Sequence, residues 1–69
     1  MNYLVIIEGE PGNYSAYVPD LPGCITVGET LDEVESNMQD AIRLYLEETT
    51  RRGAVPPKAT TRAISVNAA

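Results

Sequence analysis

The middle of the chain reads Tyr-Val-Pro-Asp-Leu-Pro-Gly-Cys-Ile-Thr-Val-Gly-Glu-Thr, from Tyr17 to Thr30. Pro19 removes a backbone hydrogen-bond donor and therefore ends a strand predicted over residues 14–18. A compact loop is predicted at 20–23, and Cys24–Val27 is typical of a short strand. The stretch therefore predicts two antiparallel strands that are joined by a tight loop.

Two further strands are predicted outside this stretch. Tyr3–Glu8 is rich in β-branched and aromatic residues, and the Gly-Glu-Pro-Gly-Asn sequence that follows it is typical of a hairpin turn. Near the end of the chain, Thr60–Val66 has the composition of a strand and follows an extended Pro-Pro connection. The chain is thus expected to contain four strands.

A long amphipathic helix is predicted between the third strand and the fourth. Thr30 and Glu33 fit a capping box at its start, and Gly53 suits a left-handed residue after its end at Arg52. One stripe is apolar and should face the sheet, formed by Leu31, Val34, Met38, Ala41, Ile42, Tyr45 and Leu46. The order βββαβ predicts an α+β fold in a single domain over residues 1–69.

Size and patterning both favour a homo-oligomer. A chain of 69 residues buries only about 60% of the surface that its unfolded form exposes. The first strand has apolar side chains on both faces, whereas a single helix can cover only one side of a sheet. Either a second copy covers the other face or a strand edge, giving a dimer or tetramer, or neighbouring side chains shield these positions.

The charge distribution argues against nucleic acids and anionic membranes as direct partners. The net charge is −5, with −9 over residues 1–50 and +4 over the remainder. Such an acidic surface repels phosphate groups and attracts basic proteins. A solvated helix face is the alternative explanation for the same acids.

The residue types present offer little for catalysis. The chain has no histidine and a single cysteine, Cys24, which excludes the usual zinc and haem ligand sets and His-activated nucleophiles. Glu8, Asp20 and Glu29 could in principle converge on magnesium, as in a divergent metal-dependent nuclease. We expect no enzyme activity and no cofactor, and the lack of a signal peptide or membrane span favours the cytoplasm.

The central motif and the helix resemble the N-terminal domain of HicB-type antitoxins. The residues that carry this resemblance are Tyr17, Asp20, Pro22, Gly23, Cys24, Thr26, Gly28, Thr30, Glu33, Asn37 and Ala41. The resemblance implies a partial ribonuclease-H-like fold without catalytic residues. It also implies a four-stranded mixed sheet of order 3-2-1-4, in which the fourth strand is parallel to the first.

Most motif residues also have a structural role that needs no partner. Pro22 and Gly23 are expected to form the turn, and Cys24 to fill space beneath the helix. Gly28 should permit the corner between strand and helix. Asn37 is unfavourable in the middle of a helix, so we expect it to bond to a loop backbone.

The resemblance further implies a function, which is to bind and occlude a HicA-type ribonuclease toxin. The acids expected to meet the cationic cleft of the toxin are Asp20, Asp32, Glu33, Glu35 and Asp40. Longer family members carry a C-terminal DNA-binding module that is not seen here, so no direct DNA binding is expected. The alternatives are a homo-oligomeric scaffolding module with another protein partner and, more remotely, the nuclease.

Overall fold

The structure, a computed structural model, describes residues 2–69 and contains three strands followed by one helix. Their bounds are β1 Ile6–Glu10, β2 Asn13–Tyr17, β3 Ile25–Gly28 and α1 Leu31–Arg51. The strands form one antiparallel sheet of order β1-β2-β3. The predicted α+β class, the strand meander and the single long helix are confirmed.

The first hairpin has a tighter turn than the sequence suggests. Glu10 pairs with Asn13, so that the turn consists only of Pro11 and Gly12. Proline suits the first central position of such a turn, and Gly12 supplies the positive φ of 91° at the second. As a result β1 extends to Glu10, but it begins at Ile6 and not at the predicted Tyr3.

The hydrophobic core lies between α1 and the face of the sheet formed by β2 and β3. Its fully buried residues are Ala16, Val18, Leu21, Cys24, Val34 and Met38. The helix lies over β2 and β3, and Ile7 of β1 packs against the border of the core. The predicted stripe begins at Val34, because Leu31 at the first helical position is 51% exposed. The last members of the stripe, Ile42, Tyr45 and Leu46, are half-buried against the core.

The predicted fourth strand over Thr60–Val66 is not formed within residues 2–69, and the sheet order is therefore not 3-2-1-4. The segment is held elsewhere, because Thr60 and Thr61 both donate hydrogen bonds to Asp20 in the loop after β2. Beyond this contact Ile64 is 83% exposed. With three strands and one helix, the structure does not confirm the partial ribonuclease-H-like fold that the resemblance implies.

Candidate partner-binding surfaces

The loop between β2 and β3 is closed by its own backbone. The Val18 amide donates to the Cys24 carbonyl at 3.2 Å, and the Cys24 amide donates to the Leu21 carbonyl at 3.0 Å. Leu21 has no exposed surface and fills the centre of the core. The loop with Pro22 and Gly23 at its tip is therefore a packed part of the domain.

Asp20 fastens the C-terminal segment to this loop. Its Oδ2 accepts the backbone amides of Thr60 and Thr61, both at 2.9 Å, and its Oδ1 accepts the two threonine hydroxyls at 3.1 and 2.8 Å. These hydrogen bonds hold the pKa of Asp20 below its usual value of 3.8, and the bonds from Thr61 have the largest effect. Both oxygens are thus engaged within the chain.

The corner between β3 and α1 depends on a close approach at Gly28. A Cβ atom at this position would lie 2.8 Å from the Val34 nitrogen and 2.9 Å from its Cα. The helix begins just before this contact, where the Thr30 hydroxyl accepts the Glu33 amide at 3.0 Å. The return bond of the capping box, from the Thr30 amide to the Glu33 carboxylate, is not among the hydrogen bonds of residues 2–69.

Asn37 joins the helix to the edge of the sheet. Its side-chain Nδ2 donates to the Val27 carbonyl of β3 at 2.9 Å. This hydrogen bond to the backbone compensates for the low helix propensity of Asn37. A hydrogen bond from Asn37 to the backbone was predicted, but to a loop. The acceptor lies in a strand and not in a loop.

Cys24 lies in the core beneath the same helix. Its Sγ is 4.0 Å from the Met38 Sδ, and burial raises the pKa of the Cys24 thiol. A buried thiol of raised pKa is a poor nucleophile and a poor metal ligand. The cysteine therefore acts as an apolar packing residue.

The end of α1 is closed by a Schellman motif. Gly53, at φ 78°, donates to the Thr50 carbonyl at 2.9 Å, and Ala54 donates to the Thr49 carbonyl at 3.1 Å. Just before it, hydrogen bonds from Arg51 and then from Arg52 lower the pKa of Glu48. The cations at this end are thus partly compensated within the last turn.

The five predicted partner-binding acids do not form one cluster. Asp20 holds the C-terminal segment, as described above, and Asp40 lies 3.7 Å from Arg43 in an exposed ion pair. The other three, Asp32, Glu33 and Glu35, are exposed on the first turns of α1 and take part in none of the salt bridges of residues 2–69. We call these three residues the helix acids.

The face of the sheet opposite the helix carries apolar side chains. Ile6, Tyr17 and Ile25 form one row across the three strands, and Val27 lies beside it. Ile25 and Val27 are each 66% exposed, and Tyr17 is 39% exposed. We call these four residues the sheet patch. An exposed apolar patch of this kind is typical of protein–protein contacts.

The convergence required for a metal-dependent nuclease is not found. No three His, Cys, Asp or Glu side chains come together around a possible metal position in residues 2–69. Glu8, Asp20 and Glu29, which the nuclease alternative needs in one place, therefore form no such group. The helix α1 is also not apolar enough to cross a membrane, and it is the single helix of this part of the chain.

A meander under one helix, an apolar outer sheet face and acids without ion-pair partners among residues 2–69 define a small α+β domain whose surfaces suit contacts with other proteins. The family described as "HicB_like antitoxin of bacterial toxin-antitoxin system" matches residues 3–68, and the chain belongs to it. This membership confirms the resemblance found in the sequence. It suggests a toxin–antitoxin role that is not enzymatic.

Relatives of the chain occur in both archaea and bacteria. The chain is 41% identical over 69 residues to a UPF0150 protein of Thermoplasma acidophilum. The aligned region covers 99% of this chain and 100% of that protein. A UPF0150 protein of Archaeoglobus fulgidus is 46% identical over 48 residues, or 68% of this chain and 70% of its own length. A UPF0150 protein of Thermotoga maritima is 44% identical over 48 residues, which are 67% of this chain and 64% of that protein. No solved structure matches the chain.

Two structural features near the candidate surfaces were not predicted from the sequence. The first is the contact of Asp20 with Thr60 and Thr61, for which the two adjacent threonines after the Pro-Pro connection were the available signal. The second is an apolar groove beside β1, whose lining residues include Val5 and Ile7. Val5 and Ile7 are two positions apart and therefore share one face of the predicted first strand. This spacing does not indicate that a groove remains between that face and the helix.

Proposed function

We propose that this chain neutralises a small, basic HicA-type ribonuclease toxin by binding over its active site. Family membership supports the toxin–antitoxin role, and the helix acids support the choice of a basic partner. In this proposal residues 1–69 act as one HicB-like domain in the cytoplasm, and no direct contact with nucleic acid is needed.

The charge of the chain suits such a partner. A ribonuclease binds a polyanion and therefore presents a positive surface around its active site. Residues 1–50 carry a net charge of −9, so the two proteins would attract each other before contact. Complementary charges of this kind raise the association rate and select against other partners.

The local ion pairs indicate which acids contribute most. The charge of Asp40 is partly compensated by Arg43, and that of Asp20 is engaged by the two threonines. Asp32, Glu33 and Glu35 have no such compensation in the described chain. We therefore assign the largest electrostatic role to these three helix acids, with smaller roles for Asp20 and Asp40.

The test measures binding to the toxin encoded beside the gene for this chain. The variant Asp32→Asn/Glu33→Gln/Glu35→Gln, which removes three acids, is compared with Glu10→Gln, which removes one exposed acid at the end of β1. We expect the triple variant to bind about 10-fold more weakly, which corresponds to about 1.4 kcal/mol, and the control to bind as the wild type does.

Salt provides a second reading of the same assay. Between about 0.1 M and 1 M salt the Debye length falls from about 10 Å to about 3 Å, so the difference between wild type and triple variant should shrink. Absence of binding to the toxin would contradict the proposed function. The control removes one charge and the variant removes three, so a loss of binding free energy in Glu10→Gln of a third or more of that in the triple variant would contradict the role of the helix acids.

The sheet patch favours a second candidate function, that of a homo-oligomeric scaffolding module with another protein partner. Ile25 and Val27 are the two strand residues most available for such contacts, at 66% exposure each. A homo-oligomer, dimer or tetramer, is compatible with both candidate functions. The toxin-binding measurement separates them, because only the antitoxin must bind the ribonuclease.

A further inference from the structure

An apolar groove lies between β1 and α1, on the side of β1 that has no neighbouring strand. β1 pairs with β2 alone, and α1 lies over β2 and β3, so that Ile7 of β1 is only partly buried at the border of the core. The groove has a volume of about 290 Å³ and is lined by Val5, Ile7, Glu35, Met38, Gln39 and Ile42. The open edge of β1 also presents backbone groups that can pair with a further strand.

The chain contains a segment that matches this groove but does not occupy it. We call residues 62–66, Arg-Ala-Ile-Ser-Val, the tail strand. Arg62, Ile64 and Val66 alternate and would share one face of a strand. Ile64 is 83% exposed and Val66 is 75% exposed, so neither is packed within its own chain.

We propose that the tail strand of a second copy lies along the open edge of β1 and places Ile64 and Val66 in the groove. The exchange is reciprocal, so that each copy donates one tail strand and accepts one, as in a two-fold symmetric interface. The exchange would add a fourth strand, from the partner, to the three-stranded sheet. The proposal rests on the homo-oligomeric state suggested above and is independent of toxin binding.

Two observations favour a second copy as the occupant. The four hydrogen bonds to Asp20 fix Thr60 and Thr61 in the same chain, and the residues that follow them leave its own groove empty. Charge is also complementary, because Glu35 lines the groove and Arg62 shares a strand face with the two apolar side chains.

The first test is the oligomeric state of Ile64→Asp and Val66→Asp by sedimentation and light scattering. The matched control is Val55→Asp, since Val55 is 88% exposed and lies outside the tail strand. We expect the wild type and Val55→Asp to form the same oligomer. Each tail variant should raise the dimer dissociation constant by about 100-fold or more, because the exchange buries two such side chains per dimer.

These variants separate assembly from folding. Ile64 and Val66 make no buried contact in their own chain, so both variants should keep the far-ultraviolet circular dichroism of the wild type. Ile25→Asp tests the sheet patch as the competing interface. Loss of the oligomer in Ile25→Asp but not in Ile64→Asp would overturn the strand exchange.

The second test identifies the donor chain directly. In oligomers mixed from isotope-labelled and unlabelled wild-type chains, we expect intermolecular nuclear Overhauser effects from the Ile64 and Val66 methyl groups to Val5, Ile7 and Ile42. The same contacts within one chain would show that the tail folds back on itself, which overturns the exchange. A monomer at micromolar concentration would refute both the exchange and the homo-oligomer, whereas an oligomer without these contacts would refute the exchange alone.

Discussion

Replacement of Gly28 by alanine should destabilise the domain at the corner between β3 and α1. The added Cβ atom would lie 2.8, 2.9 and 3.0 Å from the nitrogen, Cα and Cβ of Val34. Two of these three atoms belong to the helix backbone, so no side-chain rotation relieves the contact. Val34 is fully buried, and its helix turn can move only by disturbing the core.

The expected cost of Gly28→Ala is that of overpacking, about 1 to 3 kcal/mol in the free energy of unfolding. For a domain of this size each kcal/mol lowers Tm by about 4 to 8 °C. We expect urea unfolding, followed by circular dichroism at a fixed protein concentration, to show a lower midpoint with an unchanged slope. The control Ser15→Ala, at an exposed strand position, should stay within about 0.5 kcal/mol of the wild type. A midpoint for Gly28→Ala equal to that of the control would refute the close packing.

Three further predictions concern single side chains. The pKa of Asp20 is lower in the folded chain than in the unfolded one, so its contacts stabilise the fold above the unfolded pKa and are lost as pH falls through the folded pKa, below 3.8. The amide shifts of Thr61 in an NMR titration should report this loss, and Asp20→Asn should weaken the contacts at neutral pH and remove their dependence on pH. Unchanged Thr61 shifts through this pH range would contradict the contact. Asn37→Ala removes the bond to the Val27 carbonyl, which contributes about 1 kcal/mol, but it gains up to about 0.7 kcal/mol of helix propensity. We therefore expect a small net loss of stability in urea unfolding, whereas a clear gain in stability would show that the bond contributes nothing. Cys24 should react with a thiol reagent only as fast as the domain opens, and rapid labelling of the native protein would contradict its burial.

The elements with strong local signals were predicted from the sequence. The helix from Leu31 to Arg51 follows from its apolar spacing and from the residues at both ends, and the structure ends it within one residue of the prediction. The meander follows from Pro19, which ends β2, and from the Pro-Gly turn before it. These signals involve residues only a few positions apart, so local chemistry is sufficient to identify them.

The C-terminal segment could not be predicted in the same way. Its position depends on hydrogen bonds from Thr60 to Asp20, 40 residues earlier, and no periodicity in the sequence encodes such a contact. The strand predicted over residues 60–66 is not formed in residues 2–69, because a strand-like composition does not specify a pairing partner. In a small chain that partner can belong to another copy, which a single sequence does not reveal.

The surroundings of the candidate acids could also be predicted only in part from the sequence. Their number follows from the sequence, but their local charge depends on their neighbours. The pair Asp40–Arg43 could have been anticipated from its i,i+3 spacing on a helix. The engagement of Asp20 by the distant threonines could not, and it changes the surface available to a partner.

The proposed antitoxin function is tested most directly by titrating the purified protein into an RNA-cleavage reaction of a purified HicA-type ribonuclease toxin. An inhibitor that covers an active site acts by occupancy, so we predict that cleavage decreases in proportion to the protein added and ends once every toxin molecule is bound. Undiminished cleavage at a large excess of the folded protein would contradict the proposed function.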